Sequence, residues 1–552
     1  MRFIKVFGLG FAIVLTGWTG LSGQAAAEDA AAATWHFAGS AQLAGNTNFD
    51  NAKKILTLAS SLEFQNLVLN RFSSWLGKSL FSATNDDPAS PLRPLLDDLL
   101  SAESFWALGG ASNGPLNFIV ALRLDDQRAQ AWQDALTKVM GKPGSVFALE
   151  DPSFPGRQWK LAGGQSLWMV RAKDWLVAGR GDNLGSLQAQ YIREAITNGR
   201  PGPALNQSWL EADLDWPRLA HWLPNFPRIL QLARTKISLT ARNQSLFMSA
   251  NVVYPKPISW KFDPWRVPTN IIHDPLISFT AGQDIAAYMD PGEPLSHLTD
   301  NPLAGQYYIW GLAEMALETY GTWPVADATN SLRRLATEAA AAFNPALKQI
   351  GGGEMRWQPE QQALLWANVS PMLFPTLQAA PATNDQYLLA SLFPLIPRNK
   401  PIPGELLQQI LGHTNLVYYD WEGTGQRLMQ WQLQSGMLPL FTAKTNPPPP
   451  PPPAAATNNP PALPRTRSPL NIEENWLTGL TPMLLDRETI TEITRTAPAE
   501  LTIARKSPFA LSSVELVLLS HWLSDTGSPG INPYLLPQPA KMTGPGINPT
   551  SP

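Results

Sequence analysis

The sequence predicts an α+β fold: two related units, each an antiparallel sheet covered by helices, with a C-terminal hairpin and helix docking on the second. Three observations predict it. Short runs that alternate apolar and polar residues lie too close together for the long crossovers parallel strands need. An apolar run ending in Asp, followed by Arg-x-x-x-Trp, recurs at Arg128/Trp132, Arg218/Trp222 and Arg427/Trp431. A helix near the C-terminus is apolar on most sides and so needs neighbours on most sides.

From the N-terminus, Arg2 and Lys5 precede the uncharged apolar run "VFGLGFAIVLTGWTGL", and "GQAAAED" offers small residues at Ala25 and Ala27. This pattern predicts a signal peptide over 1–27, cleaved before Glu28. The run is shorter than the ~20 residues a bilayer span needs, so the expectation is an exported protein, periplasmic or secreted, with no membrane span after cleavage.

The first unit is expected over 28–200. "TWHFAGSAQLAG" alternates from Thr34 to Gly45 and reads as a half-buried strand with His36 on its solvated face. Two helical stretches follow, the second being "PLRPLLDDLLSA", where adjacent Asp97 and Asp98 read as a solvated face. Strands "SFWALGG" and "LNFIVALRL" lead to the helix "QRAQAWQDALTKVM", then to short strands from Ser145 to Gly179 and a helix near Leu184–Thr197. The glycines and prolines of "NGRPGPALNQ" read as a boundary.

The second unit is expected over 208–444. It holds a hairpin around "RNQS", a proline-punctuated stretch "YPKPISWKFDPWRVPTN", helices around Tyr308–Tyr320 and Thr329–Phe343, and a hairpin in "GEMRWQPEQQALLWANV". Residues 445–469 are expected to be a Pro-rich excursion loop, whose seven consecutive prolines predict a polyproline II rod of ~22 Å at ~3.1 Å per residue. A hairpin and helix over 470–525 complete the second unit, with Ser512 and Glu515 at capping-box spacing. The tail 526–552, rich in Pro and Gly, is expected to be disordered.

The recurring motif reads as architecture. Each Asp (Asp126, Asp215, Asp420) stands where a helix N-cap belongs, and each Arg can lie over the Trp one turn on.

Several chemistries find no support. The absence of cysteine excludes disulfides, thiolate metal sites and cysteine nucleophiles. With 41 Lys and Arg against 44 Asp and Glu, the interspersed charge gives no nucleic-acid footprint. "GASNG" matches a nucleophile elbow around Ser112, but a strand follows where a helix is needed. "WLVAGRGDNLG" lacks the parallel unit a dinucleotide site requires, and Asp182 reads there as a helix cap. The six histidines are scattered singly, so no metal ligand is named. No cofactor and no catalytic residue are assigned.

Tryptophan is abundant, with 21 residues. Trp35, Trp106, Trp132 and Trp222 fall on apolar faces and read as core. Trp260 and Trp265 lie in an extended stretch beside Lys261 and Arg266, so Trp260, Lys261, Trp265 and Arg266 are the candidate ligand-binding residues. The expected role is a non-catalytic binding or scaffold protein whose partner is an envelope protein or glycan. The alternative is an extracytoplasmic hydrolase whose site assembles only in the fold.

"PLLDDLLSAESF", "DPLISFTAG", "TNLVYYDWE" and "ELTIARKSPF" resemble stretches of an uncharacterised family of exported bacterial proteins associated with Verrucomicrobia-like genomes. The resemblance covers most of the mature chain but not the proline tract. It implies relatedness and carries over no activity and no site residue.

Overall fold

The computed structural model describes residues 31–43, 45–81, 92–110, 116–140, 146–148, 156–160, 166–181, 186–220, 222, 233–259, 262–284, 305–314, 318–349, 352–368, 374–380, 387–393, 400–442 and 472–524. The expected leader, the proline tract and the tail after 525 lie outside these residues.

Every strand among them belongs to one antiparallel sheet of twenty. The first ten are β1 (Ala33–Phe37), β2 (Ser104–Gly109), β3 (Asn117–Arg123), β4 (Val146–Ala148), β5 (Gly156–Lys160), β6 (Ser166–Ala172), β7 (Trp175–Gly181), β8 (Leu210–Asp215), β9 (Arg234–Arg242) and β10 (Ser245–Val253). Across the sheet they run β4-β5-β6-β7-β3-β2-β1-β8-β9-β10.

The second ten are β11 (Leu276–Gln283), β12 (Gln306–Leu312), β13 (Thr319–Pro324), β14 (Glu354–Gln358), β15 (Ala363–Ala367), β16 (Thr376–Ala379), β17 (Tyr387–Ser391), β18 (Leu416–Gly423), β19 (Glu488–Ala497) and β20 (Glu500–Ser507). They run β14-β15-β16-β17-β13-β12-β11-β18-β19-β20. Each second-arm strand takes the place of the strand ten earlier. The arms meet where β10 pairs with β20, in antiparallel register with Ser249 opposite Ala504.

Local sequence explains many of these elements. Burial alternates along β9 and β10, with Ile237, Leu239, Met248 and Ala250 inside. Asn243 and Gln244 both have positive φ, which gives the turn the twist a two-residue hairpin needs. The edge strand β14 is shielded from further pairing, because the Asn344 side chain binds both the N–H (2.7 Å) and the C=O (3.0 Å) of Met355.

Helices cover both faces. On one face, α1 (Ser40–Leu43), α2 (Asp50–Leu56), α3 (Ala59–Phe81), α4 (Arg93–Ser101) and α5 (Asp126–Met140) belong to the first arm, and α6 (Ser186–Asn198) packs on the opposite face. After the short α7 (Trp216–Leu219) come α8 (Ala328–Gln349), α9 (Gly404–Leu411), α10 (Thr424–Thr442), α11 (Ile472–Leu484) and α12 (Ser513–Ser524). Helix α9 covers the face that α6 covers in the first arm. Helix α3 reaches across the arms: its Phe64 stacks on Trp476 of α11 at 4.4 Å, and Trp476 Nε1 donates to Ser61.

The C-terminal segment docks on the second arm through β19 and α12, as expected for a helix that is apolar on most sides. The Ser512/Glu515 capping box forms, with Ser512 N–H donating to the Glu515 carboxylate at 2.9 Å.

Several expectations about the elements and their setting fail. The strand read over Thr34–Gly45 ends at Phe37, because Gly39 turns into the left-handed region (φ 82°) and α1 begins. Tyr308–Tyr320, expected as helix, supplies β12 and the start of β13; Tyr308, Trp310 and Leu312 alternate into the core with a period of two. The stretch 198–207 separates no units, since β8 just after it pairs directly with β1. His36 is buried rather than solvated, with its ring nitrogens against Glu103 (3.0 Å) and the Pro203 carbonyl (3.1 Å).

Candidate functional site

The recurring motif resolves into three different local roles. Asp215 caps α7, accepting the Arg218 N–H at 3.1 Å. In the first copy the cap is Asp125, which accepts the Arg128 N–H at 2.7 Å; Asp126 is the first helical residue and pairs with Arg171. Asp420 is no cap at all. It lies within β18, three residues before Gly423 ends the strand. The aromatic stacking forms in the last copy, where the Arg427 guanidinium sits 4.7 Å from the Trp431 ring centroid. In the first copy Arg128 and Trp132 instead converge on Asp98, at 2.7 and 2.8 Å. Asp98 is therefore buried and engaged, not solvated, while its neighbour Asp97 is exposed.

Asp420 belongs to a half-buried to buried polar row that, among the described residues, the second arm alone carries. Counting back equally from the helices that follow β8 and β18 aligns Ala212 with Asp420. Following the strand register outward then matches Trp35 with Thr280, Ile237 with Thr491, and Ala250 with Arg505. Where the first arm writes Ala, Trp, Ile, Ala, the second writes Asp, Thr, Thr, Arg.

Each carboxylate in this region is engaged. Thr280 donates to Asp420 at 2.6 Å. Glu422, two residues on and on the same face, accepts the Ser513 N–H and hydroxyl, both at 2.6 Å. Arg505 forms a two-pronged pair with Glu515 at 2.5 and 3.1 Å. Burial pushes the Glu422 carboxyl up to about 7, with the Asp420 charge adding to it, and burial raises Asp420 as well. Burial lowers the Arg427 pKa against the pull of both acids. The Glu422 and Arg505 contacts tie α12 to the sheet.

Beyond Arg427 the sheet opens into a groove. Arg427 donates to the Thr319 hydroxyl at 3.4 Å, and Thr319 lines a cleft of about 480 Å³ between β12–β17 and α8. Ile309, Gly321, Trp323, Leu364, Leu377 and Ala390 form much of its surface, and among the described residues no charged side chain lines it. Thr376 and Ser391 supply hydroxyls that bond to each other at 2.8 Å. The volume falls within the roughly 300–1,000 Å³ of ligand pockets.

The same register carries the alignment to the groove. Ile309 matches Trp106, Gly321 matches Val120, Ala390 matches Ala178, and Leu377 matches Met169. Trp106 is 7% exposed and Ile309 is 41% exposed. The difference comes from cover: in the first arm α3 and α4 pack Leu69, Phe72, Leu95, Leu96 and Leu99 into one cluster with Trp106 and Val120.

A second cavity, about 550 Å³, lies in the first arm beside Glu103, Arg123, Asp125, Asp126, Arg171 and Asp174. Burial would raise the Glu103 carboxyl, but its contacts with His36 and Arg123 outweigh that and hold it below the ordinary value. Among the described residues no group of three or more His, Cys, Asp or Glu could hold a metal ion, and no helix is long and apolar enough to cross a membrane.

The residues picked from the sequence lie elsewhere. Trp260 and Lys261 fall outside the described residues. Trp265 is half-buried and packs edge-on against Tyr308 (centroids 6.2 Å apart), on the face opposite the groove. The Arg266 side chain is exposed, while its N–H donates to Gln306 (2.9 Å) and its carbonyl accepts from Tyr387 (2.7 Å). The sequence reading missed the groove because its lining is spread over six strands. One local signal was present: Gly321 is a small residue within an aromatic strand.

Fold and groove together define an α+β protein whose single sheet carries two arms of one strand order, one covered and one partly open. No known protein family matches the chain, and no curated protein is similar to it. A solved structure described as crystal form III of TP0453 overlaps it with a TM-score of 0.24 and 11% identity, covering 42% of this chain and 79% of that one. A likeness that slight carries no argument.

Proposed function

We propose that this is an exported, non-catalytic binding protein acting in the cell envelope or outside it, built from an internally duplicated unit, with the second-arm groove as its binding surface. One observation carries the reading: among the described residues, equivalent sheet faces are filled by α3 and α4 in the first arm and left open in the second. A face that the described residues cover in one copy and leave open and apolar in the other suits a bound occupant. The buried carboxylates support a binding role over hydrolysis, because Glu422 and Glu515 are already engaged with the N-terminal end of α12. Export rests on the leader read in the sequence.

The test places a photoreactive residue at Ile309 in the full chain within the producing cells, with the same residue at exposed Leu62 as control. A discrete adduct from position 309, absent from position 62 and found outside the cytoplasm, is expected. No adduct at 309, or a chain retained in the cytoplasm, would sink the proposal.

A further inference from the structure

We infer, resting on the binding reading above, that the second-arm groove receives a leucine-rich amphipathic helix of a partner protein, seated as α4 is seated in the first arm. The internal comparison supplies the argument. Helix α4 "RPLLDDLLS" buries Leu95, Leu96 and Leu99 in one core cluster with Trp106 and Val120 and leaves Asp97 in solvent. The positions matching those two receptors are Ile309 and Gly321, and both line the open groove. Replacing Val by Gly and Trp by Ile deepens the slot, so a helix with bulky side chains gains room there. Leucines at i, i+3, i+4 and i+7 form the seam such grooves accept.

The groove's chemistry agrees with this occupant. Its described lining carries no charge, so the bound face needs none. Apolar strands form the floor and α8 one wall, the same sheet-plus-helix setting that α4 meets beside α5, where Arg128 of α5 bonds Asp98 of α4. An aliphatic chain would also find apolar walls here. A helix is favoured because the matching slot in this chain already holds one.

The experiment selects binders to the intact protein from a displayed library of 16-residue peptides with leucines fixed at i, i+3, i+4 and i+7. A composition-matched library without that period, and hexadecanoate, serve as competing probes. Patterned peptides should be enriched and become helical on binding. Their affinity should fall at least tenfold in Ile309→Glu and Gly321→Trp and stay unchanged in Leu62→Glu. Ile309→Glu alters a 41% exposed side chain and keeps the test valid if Gly321→Trp misfolds. Equal enrichment of unpatterned peptides, binding indifferent to both groove variants, or a groove that takes only hexadecanoate would overturn the inference. If no patterned peptide is selected while the Ile309 adduct persists in cells, the helix is wrong and the binding reading survives. If both fail, both fall.

Discussion

Glu422 of β18 accepts both the backbone N–H and the hydroxyl of Ser513, each at 2.6 Å, and so ties the start of α12 to the middle of the sheet. The arrangement places a carboxyl in a fully buried site at the positive end of a helix. Burial still prevails over the helix, and Glu422 titrates near neutrality.

This sets a pH dependence. A carboxyl whose pKa rises from 4.5 to about 7 on folding binds its proton more tightly in the native state. Stability should therefore fall as pH rises from about 4.5 to about 7, and the whole penalty, of the order of 3 kcal/mol, should be present above that. Asp420 is raised too and acts in the same direction. Urea unfolding at pH 5 and pH 8 should show the slope, and Glu422→Gln should remove about one proton's worth of it. An unchanged slope in the variant would mean the carboxyl is already ionised at pH 5.

The Arg505–Glu515 pair is nearly dry, with side chains 9% and 4% exposed. Removing one partner strands the other's charge and breaks the α12 capping box. Glu515→Ala should cost about 3–5 kcal/mol. The double variant Arg505→Met/Glu515→Leu should recover most of that loss, so a double-mutant cycle by denaturant unfolding should give strong coupling. Additive losses would refute it.

Asp98 carries two partners from α5, Arg128 and Trp132. Arg128 is 37% exposed, so solvent weakens the ion pair. Asp98→Asn should cost about 1–2 kcal/mol, and Asp97→Asn, on the exposed side, less than about 0.5 kcal/mol. Comparing the two unfolding midpoints checks the distinction; equal effects would contradict it.

The two arms should respond unequally at matched positions. Trp106→Ala empties a packed site and should cost about 3–5 kcal/mol. Ile309→Ala, at the open counterpart, should stay within about 1 kcal/mol. Thermal unfolding of both variants decides it.

Much of the fold was legible because local rules and tertiary demands agreed. The hairpin around Asn243 and Gln244, the capping box at Ser512 and the buried C-terminal helix all follow from nearby residues. Reading failed where two periods compete over short runs. "QYYIWGL" is apolar enough for a helix, yet only its pairing with β11 and β13 selects the strand. The recurring Asp-Arg-Trp motif was real as spacing, but Asp420 took a strand position because the helix after β18 starts later than the motif implied.

By itself the sequence determined the antiparallel α+β class, the absence of cysteine chemistry and the docking of the C-terminal helix. These depend on composition and on neighbours a few residues apart. Only the tertiary structure decided that ten strands repeat the order of ten others, that Glu422 is buried against the start of α12, and that Ile309 faces an open groove. Each of those facts depends on which distant strands pair and in what register. Register fixes the face of every side chain, and it is set by cooperative packing across the whole sheet.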